Sequence, residues 1–398
     1  MSLVLRSDIT MHTARLLGEP QIGANSRPWR LLVAAFGANS IAYAGWYVQP
    51  EQLHELDVVQ GLGQTAASWI VSAEITTAAL ISLVLGNLIA SRAPRLVLAI
   101  GASVVLLGHS YALVAGDYGA LLLSRLVAGI GEGLLWITLN AAIAGLDKPH
   151  RRYGQVNAAT AIFLAVLVAI VPYADELHLR RGVFVALLCA VAILTPTLVP
   201  FLFGKRDAID PRVPIATGFA RGWILVGAVA LWNMVVTITY ALSGVIGSRT
   251  NSPTFQVDLA IAISLVGVIG GASATAWVGL RFGRIRTLGI LAALEVISAF
   301  ANIYWTTLPG FAISLLVVNF ALYSMFAYLL GLAAELDPSG GTSAALAGGF
   351  ALGGGMSPLF GSYLIAWTRG YGSVAWMIVL GCVVVFAVAR RLDASLHR

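Results

Sequence analysis

The chain has 398 residues, 59% hydrophobic and 11% charged, with a formal net charge of +6 and a mean hydropathy of +0.86. A soluble domain carries about 25% charged residues, so a water-facing surface cannot be built from this composition and most of the outside must face lipid. The positive balance does not indicate nucleic acid, because the basic residues sort by membrane sidedness along the chain.

Residues 1–27 are mixed and polar, and the first apolar run begins after Arg30 and outlasts a signal h-region, so no cleavable signal peptide is predicted. Runs of about 20 apolar residues, each able to cross a core of roughly 30 Å, then recur to the end of the chain. They predict twelve helices, near 31–49, 62–90, 96–115, 119–145, 154–174, 182–203, 222–246, 255–279, 286–306, 309–333, 343–367 and 373–390. The second and eighth exceed the minimum length, which predicts tilt or extension beyond the bilayer. Residues 204–221, basic, polar and Pro-containing, form the longest connection and read as a linker between two bundles. The expected organisation is a tail 1–30, a bundle 31–203, the linker, a bundle 222–390 and a tail 391–398.

With the N-terminus placed inside, 19 of the 24 Lys and Arg residues fall in inside segments, four fall outside (Arg180, Arg181, Arg249 and Arg369), and Arg125 stays within a span. Positive residues resist translocation, so both termini are expected on the cytoplasmic side of a bacterial-type inner membrane. Arg92-Ala-Pro-Arg95 after the second helix and Arg281-Phe-Gly-Arg284 after the eighth are both separated by 189 positions (281 − 92 and 284 − 95), an internal repeat. Cys189 and Cys382 lie in distant apolar runs and supply neither a disulfide framework nor a CxxC metal site.

On this pattern the chain resembles the major facilitator superfamily over nearly its whole length. The family loop after helix two reads G-x-x-x-D-R-x-G-R-R. Here Arg92 and Arg95 are kept, with Asn87, Ser91 and Pro94 at the first Gly, the Asp and the second Gly. The copy after helix eight keeps Arg281, Gly283 and Arg284, with Leu280 at the acid. Arg125, Gly129 and Gly131 fit the R-x-x-x-G-x-G of helix four in proton-coupled drug exporters. The exporters' fifth-helix glycine signature is absent, and a related pattern stands in helix eleven as Gly354-Gly-Met-Ser-Pro358-Leu-Phe-Gly361. The resemblance implies an all-α polytopic protein of twelve transmembrane helices in two six-helix bundles related by a pseudo-two-fold axis. It also implies alternating access around a midplane site, with the conserved-type loops Arg92, Arg95, Arg281, Gly283 and Arg284 tracking conformation.

Ionisable groups within a span are costly and normally face a partner or a wet cavity. Glu74, Arg125, Glu132 and Glu295 occupy such positions. Arg125 and Glu132 are seven residues apart, two turns on one face and roughly 10 Å along the axis, so a third group or water is expected between them. Glu74 lies at comparable depth on the adjacent helix of the resembling fold. A desolvated carboxylate favours its protonated form and a nearby guanidinium opposes this, so Glu74, Glu132 and Arg125 read as a proton site in a hydrated chamber between the bundles. A static ion pair, or Arg125 holding a substrate carboxylate, are the alternatives. Glu295 reads as structural or at the lipid interface, Asp258 as solvated at a helix mouth, and His109 as a packing residue.

Polar and aromatic residues recur at i, i+4, i+7: Asn39, Tyr43 and Trp46; Asn233, Thr237 and Tyr240; Asn319, Tyr323 and Phe326. Trp136 and Asn140 continue the Glu132 face. In the resembling fold helices one, four, seven and ten line the cavity, so these eleven are the substrate-binding candidates; interhelical glue is the bland alternative. Trp69, Trp232 and Asn157 are weaker candidates. Neither G-x-S-x-G, H-E-x-x-H, a P-loop nor a His/Cys cluster is present, so no enzyme chemistry, cofactor or metal is expected. The expectation is a monomeric secondary transporter of a small organic solute, aromatic, amphipathic or anionic, coupled to protons. A multidrug/proton antiporter and a proton-independent uniporter are the alternatives, and the direction of transport stays open.

Overall fold

In hydrocarbon each backbone N–H and C=O must be satisfied within the protein, and the apolar runs accordingly fold as helices. The computed structural model describes residues 28–89, 94–144, 149–176, 181–203, 220–337 and 341–396. In chain order the N-terminal half contains α1 (Pro28–Tyr47), α2 (Gln64–Ile89), α3 (Pro94–Val114), α4 (Tyr118–Ala144), α5 (Pro149–Glu176) and α6 (Gly182–Leu194). α1 continues as a short helix, Gln49–His54, and a π turn, Glu55–Val59; α6 continues through a 3-10 turn, Thr195–Leu198, into Val199–Leu202. The C-terminal half contains α7 (Ala220–Val236), extended by Ile238–Ala241 and Ser243–Ser248, and α8, broken into Thr254–Ser264 and Val266–Val278. α9 (Arg284–Tyr304), α10 (Leu308–Leu336), α11 (Gly341–Thr368) and α12 (Gly372–Leu396) complete it.

Among the described residues ten helices are long and apolar enough to cross a membrane, and the pair Trp29–Tyr47 and Gln49–Val59, bent by 43°, makes an eleventh. α11 is the remaining rod. Its 28 residues suffice for a span, but seven glycines dilute its hydropathy. Those glycines are mostly buried against other helices, where apolar bulk is not needed. One boundary differs from expectation. α12 runs to Leu396 and takes in most of the predicted tail, because Asp393 is held by Arg284. Residues 204–219 of the predicted linker lie outside the described residues.

The packing repeats between halves. α4 touches α1, α2 and α3 as α10 touches α7, α8 and α9; α1 packs on α5 and α6 as α7 packs on α11 and α12; α3–α6 and α5–α6 match α9–α12 and α11–α12. Every one of these pairs maps onto its partner by adding six, which is the pseudo-two-fold relation. The halves meet along α2–α11 and α5–α8, seams that the same operation exchanges. α11 lies antiparallel on α2 from Leu83 beside Gly348, through Ile75 and Thr76 beside Gly355, to Trp69, whose Nε1 donates to the Tyr363 hydroxyl at 3.2 Å. At the end of the bundle away from the α6–α7 connection, the continuation helix Gln49–His54 packs on the last two segments of α7.

Candidate functional site

The N-terminal half gathers four buried titratable side chains in one cluster, apart from Glu51 and Glu55 on the α1 continuation. Glu74 of α2, His109 of α3, and Arg125 and Glu132 of α4 are all fully buried. Arg125 donates through one terminal nitrogen to Glu74 Oε1 at 3.1 Å and through the other to His109 Nδ1 at 3.3 Å, while its face covers the Phe184 ring of α6 at 5.0 Å. A guanidinium only donates, so Nδ1 must be the imidazole acceptor and the ring proton sits on Nε2. That Nε2 stands 3.8 Å from Glu74 Oε1 and 3.8 Å from Glu132 Oε1, between the two acids. Neither Glu132 oxygen has a hydrogen-bond partner, nor has Glu74 Oε2. Glu74, His109 and Glu132 present donor atoms within 4.8 Å of one another, a spacing that can hold a cation, with the Arg125 guanidinium already bound at one of them.

Small residues make this closeness possible. A β-carbon at Gly129 would sit 2.2 Å from the Glu74 carbonyl oxygen, and one at Gly131 would sit 2.6 Å from the Gly101 carbonyl of α3. Gly45 lets α1 close over the site: a β-carbon there would stand 2.8 Å from the Glu74 carboxyl. The third group expected between Arg125 and Glu132 is therefore His109, which is a member of the cluster as well as a packing residue. The hydrated chamber expected around these charges is not where they lie. They are sealed inside one bundle, because glycines on α1, α3 and α4 draw four backbones together over them.

Between the halves lies a narrow cavity of about 20 Å³, room for about one water, lined by Trp46, Tyr47, Thr237, Tyr240, Leu265, Val268, Asn319, Leu322 and Tyr323. Five of the eleven candidates, Trp46, Thr237, Tyr240, Asn319 and Tyr323, thus reach it. Phe350 of α11 is the hub of the adjacent aromatic layer: it stacks on Phe326 at 3.9 Å and meets Trp46 at 5.9 Å, Tyr323 at 6.0 Å and Trp232 at 6.3 Å. Tyr43 joins from α1, edge-on to Trp136 at 4.9 Å. Tyr323 and Tyr47 pair their hydroxyls across the halves at 3.3 Å, and the Tyr240 hydroxyl donates to the Tyr47 carbonyl at 2.6 Å.

The amides behave differently. Asn233 Nδ2 donates to the Phe350 carbonyl at 2.6 Å and its oxygen accepts from Thr237, so it ties α7 to α11. Asn319 donates to the Ser264 carbonyl and hydroxyl at the break in α8, although it also lines the cavity. Asn39 binds Asn157 of α5 at 3.3 Å. The Asn140 side chain and Arg92 lie outside the described residues. Sequence reasoning passed over Tyr47, one turn beyond Tyr43 on the same stripe, and Phe350, a lone aromatic in a glycine-rich run that carries no periodic signal.

Glu295 is buried in the C-terminal half and not at the lipid interface. Its Oε2 accepts from Trp232 Nε1 at 2.8 Å and from the Cys382 thiol at 3.1 Å, clamping α7 and α12 to α9. Of the loop residues, Gly283 has φ 79° and gives the turn into α9, a backbone region that favours glycine. Arg284 then binds Glu335 of α10 and Asp393 of α12, and Arg281 lies 5.5 Å over the Trp277 ring.

No family model matches the sequence, and no curated protein does. Solved structures do. A bacterial homologue of the human lysosomal transporter Spinster, inward-facing and unoccupied, superposes with a TM-score of 0.63 and 14% identity over 94% of this chain and 96% of that one. A point mutant of the nucleoside transporter NupG gives 0.67 and 13% over 92% of this chain and 98% of the other. The major facilitator superfamily transporter FucP, in an outward conformation, gives 0.63 and 14% over 92% and 98%. Inward and outward structures match equally well, so the likeness speaks to architecture and not to state. This multi-pass membrane protein has the major facilitator fold.

Proposed function

We propose that the chain is a secondary transporter that moves a small organic solute across an inner membrane by alternating access, with both termini cytoplasmic and with a proton as the coupled ion. The observation that carries the reading is a charge count among fully buried groups. Glu74 and Glu132 contribute two negative charges, Arg125 contributes one positive charge, and His109 is neutral in the tautomer its contact with Arg125 requires. An uncompensated buried charge is strongly unfavourable, so the cluster is balanced by one proton, and Glu132, with both oxygens unpartnered, is its carrier. The cluster also abuts the solute path. Gly45 touches the Glu74 carboxyl, and the neighbouring Tyr43 and Trp46 reach Trp136 and the cavity layer. A shift of α1 on solute binding would uncover the acids, and release of Arg125 from Glu74 would change which acid holds the proton.

The cavity's small volume fits an occluded arrangement of such a cycle. A second reading has its own support: complete burial is also what a static clamp in a proton-independent uniporter requires. Glu132→Gln separates the two. In proteoliposomes carrying a solute found by thermal-shift screening, the proton reading expects loss of pH-gradient-driven accumulation with retained solute exchange. Solute exchange without pH-gradient-driven accumulation in the wild type itself would establish the uniporter, and unchanged accumulation in the variant would remove Glu132 from the coupling site.

A further inference from the structure

We infer that the solute is uncharged, a ring-bearing molecule with hydroxyl or amide groups; this rests on the transporter reading. The cavity between the halves is walled by Trp46, Tyr47, Tyr240 and Tyr323, with Thr237 and Asn319 as its other polar members. Its lining contains neither a basic nor an acidic side chain. The cations that an organic anion would need are spoken for. Arg125 is buried inside the N-terminal bundle with its terminal nitrogens on Glu74 and His109 and its face on Phe184, and it is absent from the cavity lining. Arg284 sits at the start of α9 between two acids of its own half.

No acid lines the cavity that would take an organic cation. Glu74 lies against Gly45, Glu295 is bound by Trp232 and Cys382, and the buried Glu51 and Glu55 of the α1 continuation stand outside the lining. Phe350 stacks on Phe326 and meets Trp46 beside the cavity, so these ring faces are occupied by one another. What the cavity offers is hydroxyl and amide hydrogen bonds beside flat apolar walls. A desolvated ion in such a lining has no counter-charge, whereas a neutral polar ring matches it.

The test is a thermal-shift series on the purified full chain with ring-matched sets. Nicotinamide is compared with nicotinate and with its ring-N-methyl pyridinium cation, and uridine with uridine monophosphate, followed by further amide, carboxylate and quaternary ammonium forms of shared rings. Uncharged members are expected to raise Tm, with charged counterparts binding at least about tenfold more weakly. Tyr323→Phe, which keeps the ring and removes the hydroxyl, is expected to shrink the Tm rise given by the uncharged ligand, measured against the variant's own unliganded Tm, which the lost pair with Tyr47 lowers. A charged member that binds as well as its neutral form, or a series in which no neutral member binds, overturns the assignment. Flux in proteoliposomes separates this failure from that of the transporter reading. A charged ligand that is carried defeats the solute class alone; a bound ligand that is neither carried nor exchanged defeats transport itself.

Discussion

His109 illustrates how one side chain can set the chemistry of its neighbours. Because Arg125 claims Nδ1, the ring places its Nε2 proton between Glu74 and Glu132, 3.8 Å from an oxygen of each and hydrogen-bonded to neither. His109→Leu leaves an Arg125 nitrogen without an acceptor and is expected to cost about 1–3 kcal/mol, whereas His109→Gln retains an acceptor and should cost less; Tm in detergent ranks the three proteins. Gly45→Ala places a β-carbon against the Glu74 carboxyl and is expected to cost about 1–3 kcal/mol by overpacking, read as a lowered Tm. Glu74, Arg125 and Glu132 were legible in the sequence because charges inside apolar runs require an explanation. His109 was not, since a single imidazole on an apolar helix has the same signature whether it packs or bridges. The roles of Asn233 and Asn319 were equally hidden: an amide in a span needs partners whether it faces a cavity or a neighbouring helix.

The helices themselves followed from run length, and their interruptions did not. α7 breaks at Thr237 and Leu242 and α8 at Leu265, in stretches without an internal proline. Tertiary contacts stand beside two of these points: Asn319 reaches Ser264 next to the α8 break, and Asn233, one turn before Thr237, donates to the Phe350 carbonyl of α11. α11 was counted as a span from its length, and its glycines prove to be the contact surface. A β-carbon at Gly353 would lie 2.2 Å from the Ala230 carbonyl and one at Gly354 would lie 2.1 Å from the Trp46 indole. On the other face of α7, Glu295→Leu strands the Trp232 N–H and the Cys382 thiol and is expected to destabilise by about 1–3 kcal/mol, while Glu295→Gln preserves an acceptor for Trp232 and should unfold close to wild type.

At the scale of the whole molecule, two bundles with matching internal contacts meet along α2–α11 and α5–α8 and enclose a cavity too small for a solute. Gly348 lies against Leu83 on the α2–α11 seam, so the double substitution Leu83→Cys with Gly348→Cys is expected to form a disulfide under mild oxidation and to arrest solute exchange, with recovery on reduction. The α2–α11 seam passes Ile75 and Thr76, next to Glu74, and α1 covers the same carboxyl at Gly45, which is why the proton count in the N-terminal bundle is the point on which coupling depends. Infrared difference spectroscopy of wild type against Glu132→Gln, as a function of pH, measures it without knowledge of the solute. A protonated-carboxyl band present near neutral pH in wild type and missing from the variant is the predicted result. Spectra that share every protonated-carboxyl band would show that Glu132 holds no proton and would contradict the account.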